Sequence, residues 1–284
     1  MTDDATSDVT SGATNDVTGS VDRFVHRTLI RLPARHNPKL AELVDRVNQD
    51  PEIYALWVAT NVNAVERLGM TDHGPVHVQI VANSALRILR LLLASGVTPN
   101  LVRDYGLTDH DAEVCVCLAA LLHDVGMSIH REDHETYSLF VAQPILQRLL
   151  ADLYEPPLDT VLRSEVLHAI ESHRSGGMPL TVEAGVLRIA DALDMAQGRS
   201  RIPFEAGSTS IHSVSAAAIE AVNIEPDDER GVRIRVEMSN SAGVFQVDDL
   251  LRKKLRGSGL EEYLLVEAVI EGETEKPLVK RFQL

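Results

Sequence analysis

From Val114 to Leu122 the chain runs without a polar residue, and then come His123, Asp124, Val125 and Gly126 in immediate succession. A segment with no polar face reads as a helix deep inside a domain. An imidazole and a carboxylate at its end cost several kcal/mol, on the order of the penalty for unpaired buried polar groups, unless something compensates. A divalent metal ion does so by taking the neutral imidazole and the anionic carboxylate together. A hydrogen-bonded His–Asp pair does so as well, and the doublet alone leaves both open.

The other elements follow from periodicity and punctuation. Residues 1–20 are rich in Thr, Asp, Ser and Gly and are expected to be a disordered acidic tail. A helix is expected from Pro51 to Leu68, and another from Pro75 to Ala94 with Ile80, Val81, Ala85, Ile88, Leu89 and Leu92 as its stripe, stopped by Gly96 and Pro99. Thr108 and Asp109 carry the N-cap chemistry that opens the central helix, and Gly126 is read as its end, with a loop over 127–133. Helices are expected over 134–151, 158–172 and from Pro179 to Met195. After Pro203 the pattern turns to strands at 218–224, 232–238, 263–270 and 278–284, with a short helix at 247–255. The fold class is mainly α: a helical domain over residues 21–204, followed by a small α+β unit over 205–284 of unassigned role.

A net charge of −15 argues against duplex nucleic acid as a partner. With neither a basic n-region nor an apolar h-region at the N-terminus, and no apolar run judged long enough to span a bilayer, a cytoplasmic protein without a membrane partner is expected. Cys115 and Cys117 are read as small buried hydrophobes, two apart on a helix and unable to bridge each other.

Further residues of ligand type recur along the chain. His77 opens an apolar helix, with His73 just before it in a turn. Asp191 and Asp194 lie three apart on an apolar helix, close to one face. His134 follows the doublet at a helix start, and His173 precedes the Ser175-Gly176-Gly177 break, a better placement than His168. Each has a plainer role by residue type alone: a cap or satisfied core residue for His77, a salt bridge to Arg188 or Arg199 for Asp191, a surface arginine pair for Arg199 and Arg201.

The order His77, His123-Asp124, Asp191 resembles the HD superfamily of metal-dependent phosphohydrolases over about residues 70–201. His134, and the run Ala169-Ile170…His173…Gly176…Leu180, make the layout most similar to two-metal HD-type diadenosine tetraphosphate hydrolases. The resemblance implies that His77, His123, Asp124 and Asp191 hold one divalent metal, and that His134 and His173 hold a second with Asp124 shared. Mn, Fe, Co or Ni suit such mixed ligands, at one or two ions per chain. It further implies hydrolysis of a phosphoester or phosphoanhydride by water that the metal activates. Asp194 would orient a ligand or accept a proton, and Arg199, Arg201 and His73 would meet a small phosphorylated substrate of nucleotide type. A regulatory nucleotide-binding module without turnover is the alternative, and a homodimer is compatible with either. The chain departs from relatives of this type at Met127, where a lysine is common. It also lacks the paired histidines and the glycine-tyrosine-proline motif of cyclic-dinucleotide phosphodiesterases, having Ser172-His173 and Gly177-Met178-Pro179 instead.

Overall fold

Side-chain caps and prolines set where the helices start. Asn37 accepts the Leu40 N–H ahead of α1 (Pro38–Gln49), and Asp50 accepts the Glu52 and Ile53 N–H groups ahead of α2 (Pro51–Asn61). In the computed structural model, which describes Phe24, residues 27–195, Ser215, and residues 217–270 and 281–283, α2 runs on into a π-helical turn, Val62–Arg67. The helices α3 (Pro75–Ala94), α4 (Asn100–Tyr105), α5 (Asp109–Leu122), α6 (His134–Leu150), α7 (Leu158–Ser172) and α8 (Val182–Ala192) complete the helical part. Helices α1 and α4 were not expected from periodicity. The reason is visible for α4: its first N–H groups, on Asn100 and Leu101, are satisfied by the Glu183 carboxylate at 3.2 and 2.9 Å, across a separation no local pattern reveals.

The central helix α5 is buried from Asp111 to Leu122, as its unbroken apolar run predicts. It opens on a capping box in which the Asp111 carboxylate accepts the Thr108 backbone N–H at 2.9 Å. Helices α3, α7 and α8 pack around it, and their inward faces join it in one continuous core. Cys115 and Cys117 are free and buried within that core. The helix ends at Leu122, earlier than Gly126, and Val125–Ser128 form a 3-10 turn where a loop was expected. Trp57 and Asn63 donate to the carbonyls of Leu121, Met127 and Ser128, so α2 and its π turn hold the chain as it leaves α5.

One expectation needs correcting. Helix α3, at 20 residues and mean hydropathy 1.3, is long and apolar enough to cross a membrane by length and composition. Half of that window is buried inside the protein, with Val81, Ala85, Ile88, Leu89 and Leu92 of the expected stripe facing the core. Ile80, expected on the same stripe, is instead exposed, because the buried face at that turn is made by His77, Val78 and Val81.

Beyond residue 195 the described strands and helices include β1 (Ile219–Asp227), β2 (Gly231–Met238), a π-helical segment Gln246–Leu251 continuing into α9 (Arg252–Leu255), β3 (Leu264–Ile270) and β4 (Arg281–Gln283). The sheet order is β1-β2-β3-β4, with β2–β3 parallel and the outer pairs antiparallel. Val232, Ile234, Val236 and Met238 alternate inward along β2 and join the helical core. The chain is thus mainly α with a small α+β part at its C-terminus. Residues 1–20, the 204/205 boundary, Arg199 and Arg201 lie outside the described residues.

Candidate metal centre

Four segments converge at the C-terminal end of α5. His123 caps α5 and Asp124 follows it; His77 comes from the first turn of α3, Asp191 and Asp194 from the end of α8, His134 from the first residue of α6, and His173 from the end of α7. Asp72 places His77: its carboxylate accepts the backbone N–H groups of Gly74 and His77, both at 3.2 Å, in the manner of a helix cap. Gly126 allows α6 to approach, since a Cβ there would lie 2.1 Å from the His134 carbonyl oxygen and 2.4 Å from the Ser138 nitrogen. The Ser138 hydroxyl then donates to the His123 carbonyl at 2.6 Å and accepts the Gly126 N–H at 2.8 Å, tying α6 to the doublet.

The donor atoms fall into two sets that share Asp124. The Nε2 atoms of His77 and His123 are 3.2 Å apart, and lie 3.4 and 3.3 Å from Asp124 Oδ2. Asp191 Oδ1 is 3.7 and 3.6 Å from the same two nitrogens. On its other side, Asp124 Oδ1 lies 3.1 Å from His134 Nε2 and 3.7 Å from His173 Nε2. An ion held by bonds of about 2.0–2.2 Å spreads its donors about 3 Å or slightly more apart, so these spacings fit a cation.

The far side of each ring supports that fit. The Nδ1 atoms of His77, His123 and His173 face the Asp194 carboxylate at 2.6 Å, the Ala120 carbonyl at 2.8 Å and the Ile170 carbonyl at 2.5 Å. These partners only accept, so each Nδ1 carries the hydrogen and each Nε2 turns a lone pair inward, the arrangement that metal-binding histidines adopt. Two imidazole lone pairs 3.2 Å apart repel unless a cation or a proton lies between them. His134 Nδ1 is more crowded, with the Arg131 guanidinium at 2.7 Å, the Arg131 carbonyl at 3.0 Å and Glu135 at 3.1 Å.

The electrostatics show what the buried carboxylates demand. Burial pulls the His123 imidazole down, but Asp124 and Asp191 outweigh it and push it up to about 10. Burial likewise raises Asp124, yet His123, His134 and His77 hold it well below the usual carboxylate range. Asp191 is held well below that range by Lys254 and His123 against its burial. His173 is driven well below its ordinary value, by burial first and then by the charges on His123 and Lys254. Without an ion, a proton on His123 balances the carboxylates.

Three groups of donor atoms lie within 4.8 Å of one another: His77, His123 and Asp191; His123, Asp124 and His173; and His134, Glu135 and His173. All six residues predicted as ligands are therefore gathered. Asp194 stands behind His77, away from the shared cluster, where it can orient the ring. His73 is buried beside His77, ring centroids 5.3 Å apart, with its Nδ1 at 2.7 Å from the Thr71 carbonyl. Met127 is fully buried in the turn after the doublet. His168 stays outside the cluster, bonded to Ser172 and the Leu180 N–H.

Asp72, Glu135 and Lys254 were not anticipated, and Arg188 does not pair with Asp191. Arg188 is instead buried and donates to the carbonyls of Ser172, Arg174, Ser175, Gly177, Lys253 and Lys254. Among the described residues, the lysine or arginine that pairs with Asp191 is Lys254, at 3.2 Å; Arg199 lies outside them.

The sequence pattern of the HD domain matches residues 71–196, the stretch from Thr71 before His73 to just past Asp194 that contributes every ligand-type residue of the cluster. An uncharacterized protein of the archaeon Methanocaldococcus jannaschii is 40% identical over 247 residues, 87% of this chain and 94% of that protein, so the likeness extends well beyond the HD domain itself. The match spans the helices that bring the histidine–aspartate doublet, His77 and Asp191 together, and the chain belongs to the HD domain family.

Proposed function

We propose that the protein is a metal-dependent phosphohydrolase that cleaves a phosphoester or phosphoanhydride bond of a small nucleotide-like substrate. The observation that carries this reading is the division of Asp124: one oxygen faces His77 and His123, the other His134 and His173. A carboxylate placed between two sets of inward-turned imidazoles suits a pair of divalent ions, and paired ions are a recurrent device for displacement at phosphorus. In this reading His77, His123, Asp124 and Asp191 hold one ion, and Asp124, His134 and His173 hold the other; Mn, Fe, Co or Ni match the nitrogen and oxygen donors. The bound ions would supply Lewis-acid charge and an activated water.

The chain's own residues set the rest. Asp194 fixes the tautomer and orientation of His77, and the Ala120 and Ile170 carbonyls do the same for His123 and His173. The His77 and His123 side chains are fully buried while that of Asp191 is 18% exposed, so the cluster is reached from the Asp191 side, as a site that admits a substrate requires. Arg199 and Arg201 are assigned to the phosphate by their position just after that helix, and His73 to the substrate edge. The protein is read as cytoplasmic, acting on a small molecule rather than on duplex nucleic acid or a membrane.

The test is hydrolysis of a panel of aryl phosphates and nucleotides by protein purified without chelator and supplied with Mn, Co or Ni. Turnover that disappears on chelation and in H123A supports the reading. Stabilisation by nucleotides without any turnover favours a regulatory binding module instead.

A further inference from the structure

Lysine is scarce in this chain: only Lys39, Lys253, Lys254, Lys276 and Lys280 occur. Yet one of them lies against the metal centre. Lys254, on α9, places its Nζ 3.2 Å from Asp191 Oδ2 and donates a further short hydrogen bond to the His173 carbonyl. The two Asp191 oxygens are thereby divided, Oδ1 toward His77 and His123, Oδ2 toward Lys254. The Lys254 side chain is 19% exposed and that of Asp191 18%, so this pair lies at a solvent edge of the cluster, as Glu135 does on the His134 side at 16%. Arg188 holds the arrangement from behind, since its guanidinium donates both to the carbonyls on either side of His173, those of Ser172 and Arg174, and to those of Lys253 and Lys254.

An ammonium group has three donors, and two are committed here. The third has no partner among the described residues. As a mere counterion to Asp191, Lys254 would be superfluous once a divalent cation neutralised that carboxylate. With a cation in place, its charge is available to an incoming anion. Among the described residues the other cationic side chain touching the cluster is Arg131, which is engaged with His134. In a protein of net charge −15, a cation at the edge of the site offsets the repulsion that an incoming phosphorylated substrate meets.

We propose that Lys254 is a substrate-binding residue that donates to a non-bridging phosphoryl oxygen, so that the C-terminal α+β unit completes the site on the helical domain. This rests on the phosphohydrolase reading. The experiment compares wild type, K254M, K254Q and K254R, each loaded with Mn²⁺, for bound Mn by elemental analysis, for inorganic phosphate binding by calorimetry, and for KM against kcat. The expected result is that K254M and K254Q keep the wild-type Mn content and bind phosphate roughly tenfold or more weakly, as loss of a charge-assisted hydrogen bond entails. KM should rise by a similar factor with a smaller change in kcat, and K254R should recover part of the loss. Unchanged phosphate affinity in Mn-loaded K254M and K254Q, or wild type that holds Mn and binds no phosphate, overturns the proposal. Loss of Mn together with phosphate also overturns it, because Lys254 would then only support Asp191. Wild type that takes up no Mn overturns the phosphohydrolase reading itself, a distinct outcome.

Discussion

At the scale of single residues, the site is governed by what stands behind each ligand. Asp194 touches His77 at 2.6 Å on the nitrogen that points away from the cluster, so its effect on chemistry runs through that ring. Replacing it in D194A frees the ring to rotate and removes the acceptor that fixes the tautomer. The expected cost is about 10–100-fold in metal affinity, the usual range for a group that orients a ligand. The change should be readable by titration with Mn²⁺ and accompanied by little change in far-UV circular dichroism. Asp191 and Asp194 were recognisable in the sequence as an unusual aspartate pair on an apolar helix. Their division of labour, Asp191 as a ligand and Asp194 as a group that orients one, came from the family resemblance; which histidine Asp194 meets was not legible, because it depends on how α8 sits against α3.

At the scale of elements, the turn between α5 and α6 is the tightest constraint. Gly126 has no room for a side chain: a Cβ would meet backbone atoms of His134 and Ser138 rather than flexible side-chain ends. G126A must therefore push α6 outward, at an expected cost of about 3 kcal/mol or more, the upper range for overpacking. Because α6 begins at His134, the same variant should lose cation binding at the His134–His173 side before the His77–His123 side. Thermal melting and Mn stoichiometry together check this; an unchanged melting temperature would mean that the turn accommodates a methyl group after all. Glycine as a punctuation mark was legible in the sequence, but it was read as the end of a helix. The structure shows that it serves the close approach of another helix, which spacing along the chain does not encode.

At the scale of the whole molecule, the legible parts are those written locally. The apolar run of α5, the stripe of α3, the alternation along β2 and the doublet each carry their meaning within a few residues of sequence. What escaped is what long-range contact decides. The Glu183 carboxylate initiates α4 from 82 residues away, Arg188 ties the His173 loop to α9, and Lys254 arrives beside Asp191 from a segment 63 residues further on. None of these pairings has a periodic signature. The C-terminal unit appeared separate in sequence because its pattern changes from helical to strand, yet β2 joins the same core as α5, and α9 delivers a cation to the cluster.

The central claim is that side chains from α3, α5, α6, α7 and α8 surround divalent cations at one place. Anomalous diffraction at the manganese absorption edge, from crystals of chelator-free protein grown with Mn²⁺, tests this most directly. The account predicts one peak bounded by His77, His123, Asp124 and Asp191, and a second bounded by Asp124, His134 and His173. A map with no peak inside this cluster, or with peaks only at surface carboxylates, would contradict it.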